Sequence, residues 1–408
     1  MIPPRSSPIH PDPSSGTHPL GIHPEIARSP TLPGWAYADP AVHDRVVNEV
    51  FAPSWQWVGD AGQLRAPGHV LPVTLLPGSL DEPLVLARGD DDLRCLSNVC
   101  THRGALVVEG EGHVKHLRCR YHGRRFGLDG CLLHMPEFEG VEGFPAPEDD
   151  LPRLPLQGWG PLLFTRLESQ ALAGLGLEMP WSTPSGEGWI DPVEARVGFL
   201  PWEEFRFDAA SSRDYLLQAN WALYVDNYLE EFHIPYIHGG SLTGALDYDA
   251  YRTERFRWGN LQLGVAKGDD PVFDLPAGHP EAGERVAAFY FWLFPNLMLN
   301  VYPWGLSVNV VEPLGVARTR VRFRSYVWRP ELRDLGAGGA LHRVEMEDEE
   351  IVESVQKGVA SRLYRSGRFS PRREVGTHHF HELLAGALSP AAAAGPPPEG
   401  GSPSSPPR

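Results

Sequence analysis

The chain has 408 residues, 42% of them hydrophobic, which is enough for two domains with cores of their own. Its formal net charge is −16, and a surface this acidic repels phosphate backbones and anionic lipid, so no nucleic acid and no membrane are expected as partners. The opening MIPPRSSPIHPDPSSG has no apolar core of the secretory kind, the longest apolar run (Ala287 to Phe294) cannot span a bilayer, and four cysteines make no disulfide framework, so a cytoplasmic protein is expected.

Residues 1–36 are dense in Pro, Ser, Gly and His and are predicted to form a disordered arm. Asp39 and Pro40 make an N-cap and first-turn pair, and Val42, Val46, Val47 and Val50 follow at helical spacing. From Trp55 to about Leu133, short alternating stretches such as HVLPVTLL are broken by Gly, Pro and Asp pairs. This predicts a small antiparallel β domain within residues 40–160. Residues 161–386 mix strands (AAFYFWLF, LSVNVVEPL, TRVRFRSYVW) with two helical patterns, near 220–231 and 341–363, which predicts an α+β domain. The tail at 389–408, ending SPSSPPR, reads as disordered.

The β domain holds CTHRGALVVEGEGHVKHLRCRYHG, residues 100–123. Cys100 and His102 form C-x-H, and Cys119 and His122 form C-x-x-H. Two thiolates and two imidazoles suit a tetrahedral zinc or a Rieske [2Fe–2S] centre, in which two Cys hold one iron and two His the other. Each loop supplies one Cys and one His, whereas zinc fingers usually pair like with like, so the order favours the cluster. Gly104 and Gly123 follow the two pairs, where a cluster calls for close backbone approach. His113 and His116 are expected to face solvent, and Cys95 and Cys131 to be buried apolar residues.

The second set begins with NWALYVDNYLEEFHIPYIH, residues 220–238. Trp221, Tyr224, Val225, Tyr228, Leu229 and Phe232 make the apolar face of a helix capped by Asn220, with Asp226 and Glu230 on the other face. Pro235 is expected to break the helix between His233 and His238, letting the two rings converge. In the last long helix, Val344, Ile351, Val352, Val355 and Val359 define a stripe with Asp348 in its middle; Glu345, Glu347, Glu349, Glu350 and Glu353 fall to the sides or back. A carboxylate on a buried face needs a partner. Two His and one such carboxylate match the facial triad of non-haem Fe(II) oxygenases, which leaves positions open for O₂.

On NVCTHRG, CRYHG, NWALYVDNYLEEFHIPYIH and EDEEIVESVQKG, the chain between about 40 and 385 resembles the catalytic α subunit of a Rieske non-haem iron oxygenase. The resemblance implies a β-sandwich Rieske domain and a helix-grip, START-like catalytic domain. It implies [2Fe–2S] ligands at Cys100, His102, Cys119 and His122, and mononuclear Fe(II) ligands at His233, His238 and Asp348. Glu230, with Glu231 as second choice, maps to the carboxylate that carries electrons between subunits. A homotrimer, a flavin- or ferredoxin-type reductase, O₂ and a small-molecule substrate are the implied partners. The second loop departs from many relatives in reading CRYHGRRF; Arg120, Arg124 and Arg125 are expected to make the cluster rim basic, for docking a ferredoxin or a neighbouring subunit.

DNYLEEFHIPYIHGG and the QKGVASRLYRSGRFSP…HHFH segment most resemble the choline-, carnitine- and betaine-oxidising group, whose cationic substrates suit an aromatic cage. Phe289, Tyr290, Phe291, Trp292, Phe294, Tyr302 and Trp304 could supply one, although each alone reads as sheet core. His378, His379 and His381 read as structural. Two other readings stand beside this one. An oxygenase of an aromatic or neutral compound would lack the acidic group that a cation calls for beside those aromatics. A non-enzymatic iron–sulfur electron-transfer protein would lack the second metal site.

Overall fold

The structure is a computed structural model that describes residues 20–167, 188–238, 246–339 and 341–389. The predicted tail beyond Ser389 and the arm before Leu20 lie outside these residues.

Leu20, Ile22 and Leu32 are buried, so the predicted arm is structured from Leu20 onward. The reason is tertiary. Thr31 N–H and Gly34 N–H donate to the carbonyls of Gly367 and Arg365, and Leu32 N–H donates to Nδ1 of His381. Apolar residues spaced between prolines find a surface on the C-terminal helix that composition alone does not reveal. Asp39 then caps the helix Pro40–Arg45, its side chain accepting from Ala41 N–H at 2.9 Å, and Val46–Phe51 continues in a wider turn that buries Val46, Val47, Val50 and Phe51.

The first domain is antiparallel, as expected. A five-stranded sheet runs in the order Gly112–His113, His69–Leu75, Glu82–Arg88, Leu93–Ser97, Arg153–Leu154. A three-stranded sheet (Leu117–Arg118, Arg125–Phe126, Leu132–His134) carries the second Cys/His loop. Another sheet pairs Gln56–Asp60 and Leu156–Trp159 with Leu162–Thr165. The boundary predicted at 160/161 therefore cuts a hairpin, and Leu162–Thr165 goes with the strands before it.

The second domain is built on one antiparallel sheet of seven strands: Arg206–Leu217, Arg318–Val327, Gly305–Gly315, Leu297–Tyr302, Val286–Leu293, Gly259–Val265, Arg252–Phe256. Helices Trp221–Tyr228, Leu341–Val359 and Val375–Ala387 cover one face. Side chains alternate across a strand. In Val286–Leu293, Phe289, Phe291 and Leu293 pack away from the helices against Trp159, Phe164 and Val193. Trp292 packs toward the helices with Trp221 and Phe380, and Tyr290 joins Tyr302 and Trp304. The sheet face under the helices is polar as well as aromatic: Asn260, Gln262, Asn300 and Asn309 are all buried there. That polar patch marks where a cavity opens between layers. Among the described residues no helix is long and apolar enough to cross a membrane.

Candidate metal centres and the cavity between helices and sheet

The two Cys/His loops are copies of one turn. Cys100 N–H donates to Ala105 O at 2.8 Å and Gly104 N–H returns to Cys100 O at 2.9 Å. In the second loop Cys119 N–H donates to Arg124 O at 2.9 Å and Gly123 N–H to Cys119 O at 3.1 Å. Gly104 and Gly123 have φ of +71° and +75°. A Cβ at Gly104 would meet nothing within 4 Å, so the left-handed turn, rather than close approach, is what requires glycine there. Both cysteines are buried in the domain core beside Leu117, Phe126 and Leu151. His102 and His122 turn their Nδ1 atoms toward each other, 3.1 Å apart. Burial comes first among the causes that raise the Cys100 thiol pKa, with Cys119 beside it adding to the rise. Two buried thiols and two facing imidazole nitrogens on matched turns fit a two-iron cluster held from both ends.

Asp149 ties the loops together. Its carbonyl accepts from Thr101 Oγ1 at 2.7 Å and from Arg124 Nη2 at 3.0 Å, and its carboxylate from the same Nη2 at 2.7 Å. Arg124 is 2% exposed, so it is an internal strut and not part of a basic rim. Arg120 remains outside, paired with Glu109 at 3.0 Å. His113 is exposed and stacks on His69 at 4.5 Å. Cys95 is buried, and desolvation pushes its thiol up to about 12. Cys131 departs from expectation: it is half-buried, with its Sγ 3.1 Å from Arg153 Nη2.

In the second domain Asn220 caps the helix Trp221–Tyr228, its Oδ1 accepting from Ala222 N–H at 3.0 Å. The helix ends at Tyr228, earlier than the predicted Glu231, and Phe232 is exposed. The break therefore precedes Pro235, which sits in the first turn of the short helix Ile234–Ile237. Glu230 sets the corner: its Oε2 accepts from His233 N–H at 3.1 Å and its Oε1 lies 2.6 Å from His233 Nδ1. Glu231 points elsewhere, pairing with Arg373 at 3.2 Å.

His233, His238 and Asp348 offer ligand atoms that all lie within 4.8 Å of one another. Asp348 Oδ1 is 3.1 Å from His238 Nε2, 3.5 Å from His233 Nε2, and accepts from Asn227 Nδ2 at 2.8 Å. His238 Nδ1 is 2.8 Å from Glu347 Oε2. Each ring thus has a carboxylate on Nδ1 and turns Nε2 to the shared point, the arrangement that fixes metal-binding imidazoles. Two imidazoles and one carboxylate on one side of an ion fit iron and leave its other side open.

The long helix corrects one expectation. Glu345, placed beside the stripe, is 4% exposed, whereas Val355 is 41% exposed. The buried stripe follows Glu345, Asp348, Val352 and Val359, rotated by roughly a third of a right angle from the one drawn through the valines. Tyr224 Oη donates to Glu345 Oε2 at 2.7 Å, and burial holds the carboxyl well above its usual pKa.

Beside the triad lies a cavity of about 120 Å³. Its described walls include Tyr224, Tyr228, Tyr251, Tyr290, Tyr302 and Phe323, with Gln262, Asn300, Asn309, Glu230 and Glu345. Of the seven aromatics singled out in the sequence, Tyr290 and Tyr302 line it. Trp304 stacks behind Tyr302 at 5.3 Å, and Phe289, Phe291, Trp292 and Phe294 belong to packed cores. Of the other wall tyrosines, Tyr224 and Tyr228 lie four residues apart on one helix face and were legible from helical spacing, whereas Tyr251 precedes the strand Arg252–Phe256 and carried no periodic signal. His381 and His378 are structural: His381 Nε2 lies 2.7 Å from Asp226 Oδ1 and His378 Nε2 lies 2.8 Å from His23 O.

Known proteins resemble this chain in sequence and in fold. Residues 203–389 match the family described as ring hydroxylating alpha subunit (catalytic domain), and residues 54–145 match the Rieske [2Fe-2S] domain. Choline monooxygenase, chloroplastic, of Arabidopsis thaliana is 30% identical over 370 residues, which cover 88% of this chain and 83% of that protein. The carnitine monooxygenase oxygenase subunit of Escherichia coli K12 is 31% identical over 376 residues, covering 87% and 93%. Among solved structures, the quaternary ammonium Rieske monooxygenase CntA in complex with L-carnitine superposes with a TM-score of 0.70 at 24% identity, over 91% of this chain and 99% of that one. Naphthalene 1,2-dioxygenase from Rhodococcus sp. superposes with a TM-score of 0.63 at 17% identity, over 88% and 93%. The chain therefore belongs to the Rieske non-haem iron oxygenases, with a Rieske cluster and a mononuclear iron as its cofactors, and choline and carnitine monooxygenases are among its relatives.

Proposed function

We propose that this oxygenase acts on a quaternary ammonium compound, oxidising a carbon beside the charged nitrogen. The observation that carries the reading is the cavity wall: tyrosine rings interleaved with Asn300, Asn309 and Gln262, next to the triad. Ring faces attract a cation that cannot donate hydrogen bonds, and side-chain amides suit its polar tail. A hydrocarbon substrate would call for a drier wall.

Cys100 and Cys119 with His102 and His122 would hold the cluster, and His233, His238 and Asp348 the iron. When bound, these groups supply one-electron storage and O₂ activation. Around them the protein orients and separates. Glu230 and Glu347 fix the two imidazole rings, and Asn227 fixes Asp348. Glu230 lines both the cavity and an outer cleft with Tyr37, Asp226 and Glu374, which suits it to join this iron site to a neighbouring subunit's cluster. A homotrimer is further supported by exposed apolar side chains at both places: Tyr121 beside His122, and Phe232 and Tyr236 flanking His233. Electrons come from a separate reductase of the flavin or ferredoxin type. Four free thiols, two of them proposed ligands, support a reducing, cytoplasmic setting.

A single turnover tests the reading. The purified holoenzyme is reduced, reductant is removed, and O₂ is added with choline, betaine, carnitine or an aromatic acid. Fast cluster reoxidation with product from a quaternary ammonium alone is the expected result. Product only from an aromatic or neutral compound would overturn it.

A further inference from the structure

We propose that Glu345 is the counter-charge for the substrate's quaternary nitrogen, and so selects a cation over a neutral molecule of the same shape; this rests on the quaternary-ammonium reading above. Glu345 lines the cavity one helical turn before Asp348. Its Oε2 accepts from Tyr224, whereas Oε1 is buried with no hydrogen-bond partner among the described residues. The other carboxylates of this wall are engaged by histidines: Glu230 by His233, and Asp348 by His233 and His238. No Lys or Arg is among the described lining residues. An uncompensated carboxylate in such a place costs several kcal/mol, so the empty cavity favours the protonated acid, and a cation bound against it favours the ionised form. A donor-bearing ligand would fill the open position on Oε1 with a hydrogen bond. A quaternary ammonium has no N–H and needs only charge nearby, with ring faces around its methyl groups.

The test is calorimetric binding to the holoenzyme. Choline, betaine and carnitine are each compared with the tert-butyl analogue in which carbon replaces nitrogen. Wild type should prefer at least one of the three over its analogue by roughly tenfold or more, and Glu345→Gln should reduce that preference to about twofold, chiefly by weakening the quaternary ammonium compound. Tyr224→Phe removes a hydrogen bond that favours the ionised carboxylate but leaves the carboxyl group in place, so it should narrow the preference less than Glu345→Gln does. An equal loss in Tyr224→Phe would assign the effect to helix packing and overturn the proposal. So would an undiminished preference in Glu345→Gln, with the substrate reading left standing. If Glu345→Gln does not fold, the uncharged Glu345→Met is read on the same scale: a narrowed preference supports the proposal and an undiminished one overturns it. A wild type that binds none of the cations, or binds them no better than their analogues, removes the substrate reading and this proposal with it.

Discussion

Glu347 Oε2 stands 2.8 Å from Nδ1 of His238, the counterpart of Glu230 Oε1 at 2.6 Å from Nδ1 of His233. The two carboxylates come from different parts of the fold, one in the corner after the helix Trp221–Tyr228 and one in the helix Leu341–Val359, and each holds a ring so that Nε2 faces Asp348. Ring orientation is therefore set from outside the triad.

Replacing Glu347 with Gln should loosen His238 and lower mononuclear iron affinity or turnover by about 10–100-fold. Iron analysis after dialysis, alongside steady-state turnover, checks this; the Rieske absorption bands should not change.

His233→Ala should keep the brown cluster and lose both the mononuclear iron and turnover. Glu230→Gln should weaken iron binding as Glu347→Gln does, and once its iron is restored by excess Fe(II) it should still slow cluster reoxidation in a single turnover by roughly 10–100-fold. Full-speed reoxidation in Glu230→Gln would remove Glu230 from the inter-subunit path.

Arg373 is 3.2 Å from Glu231 and lies over the Tyr248 ring at 4.0 Å, with Arg373 and Glu231 both buried. Arg373→Met leaves a buried carboxylate without its partner and should destabilise the protein by about 3 kcal/mol. Adding Glu231→Gln to that variant should restore part of the loss, as read from urea midpoints.

His379 titrates in the opposite sense from a stabilising ion pair. Burial, with Arg255 and His378 nearby, lowers its pKa to about 4. An unfolded histidine titrates near ~6.5. The unfolded chain therefore takes up the proton first, and stability falls as pH drops from about 6.5 toward 4, by roughly 1–2 kcal/mol at about pH 5. His379→Gln should flatten that part of the pH profile. Urea midpoints of both proteins at neutral and mildly acidic pH provide the measurement.

The two Cys/His loops and the His233/His238 pair are legible in the sequence because each depends on short-range spacing, while Asp348, 110 residues beyond His238, is legible only through its place on a buried helix face. It misplaces Glu345 because a valine stripe sets helical phase only coarsely: Val344 and Ile351 are half-buried and Val355 is exposed. Arg124 looked like rim charge because its partner, Asp149, is distant in sequence. The segment from Leu20 looked loose for a similar reason, since its partners lie near Arg365 and His381. Glu347 carried no signal at all, because one Glu in a run of acidic residues is singled out only by the histidine it meets.

Strand Val286–Leu293 interleaves two tasks one residue at a time. Tyr290 belongs to the cavity, while Phe289 and Phe291 belong to the opposite layer. Substrate choice and fold stability are thus written on alternate letters of one word. Changes at Tyr290, Asn300 and Tyr302 can reshape what the enzyme accepts without touching the layer behind, whereas a one-residue insertion before them would exchange the two faces and ruin both.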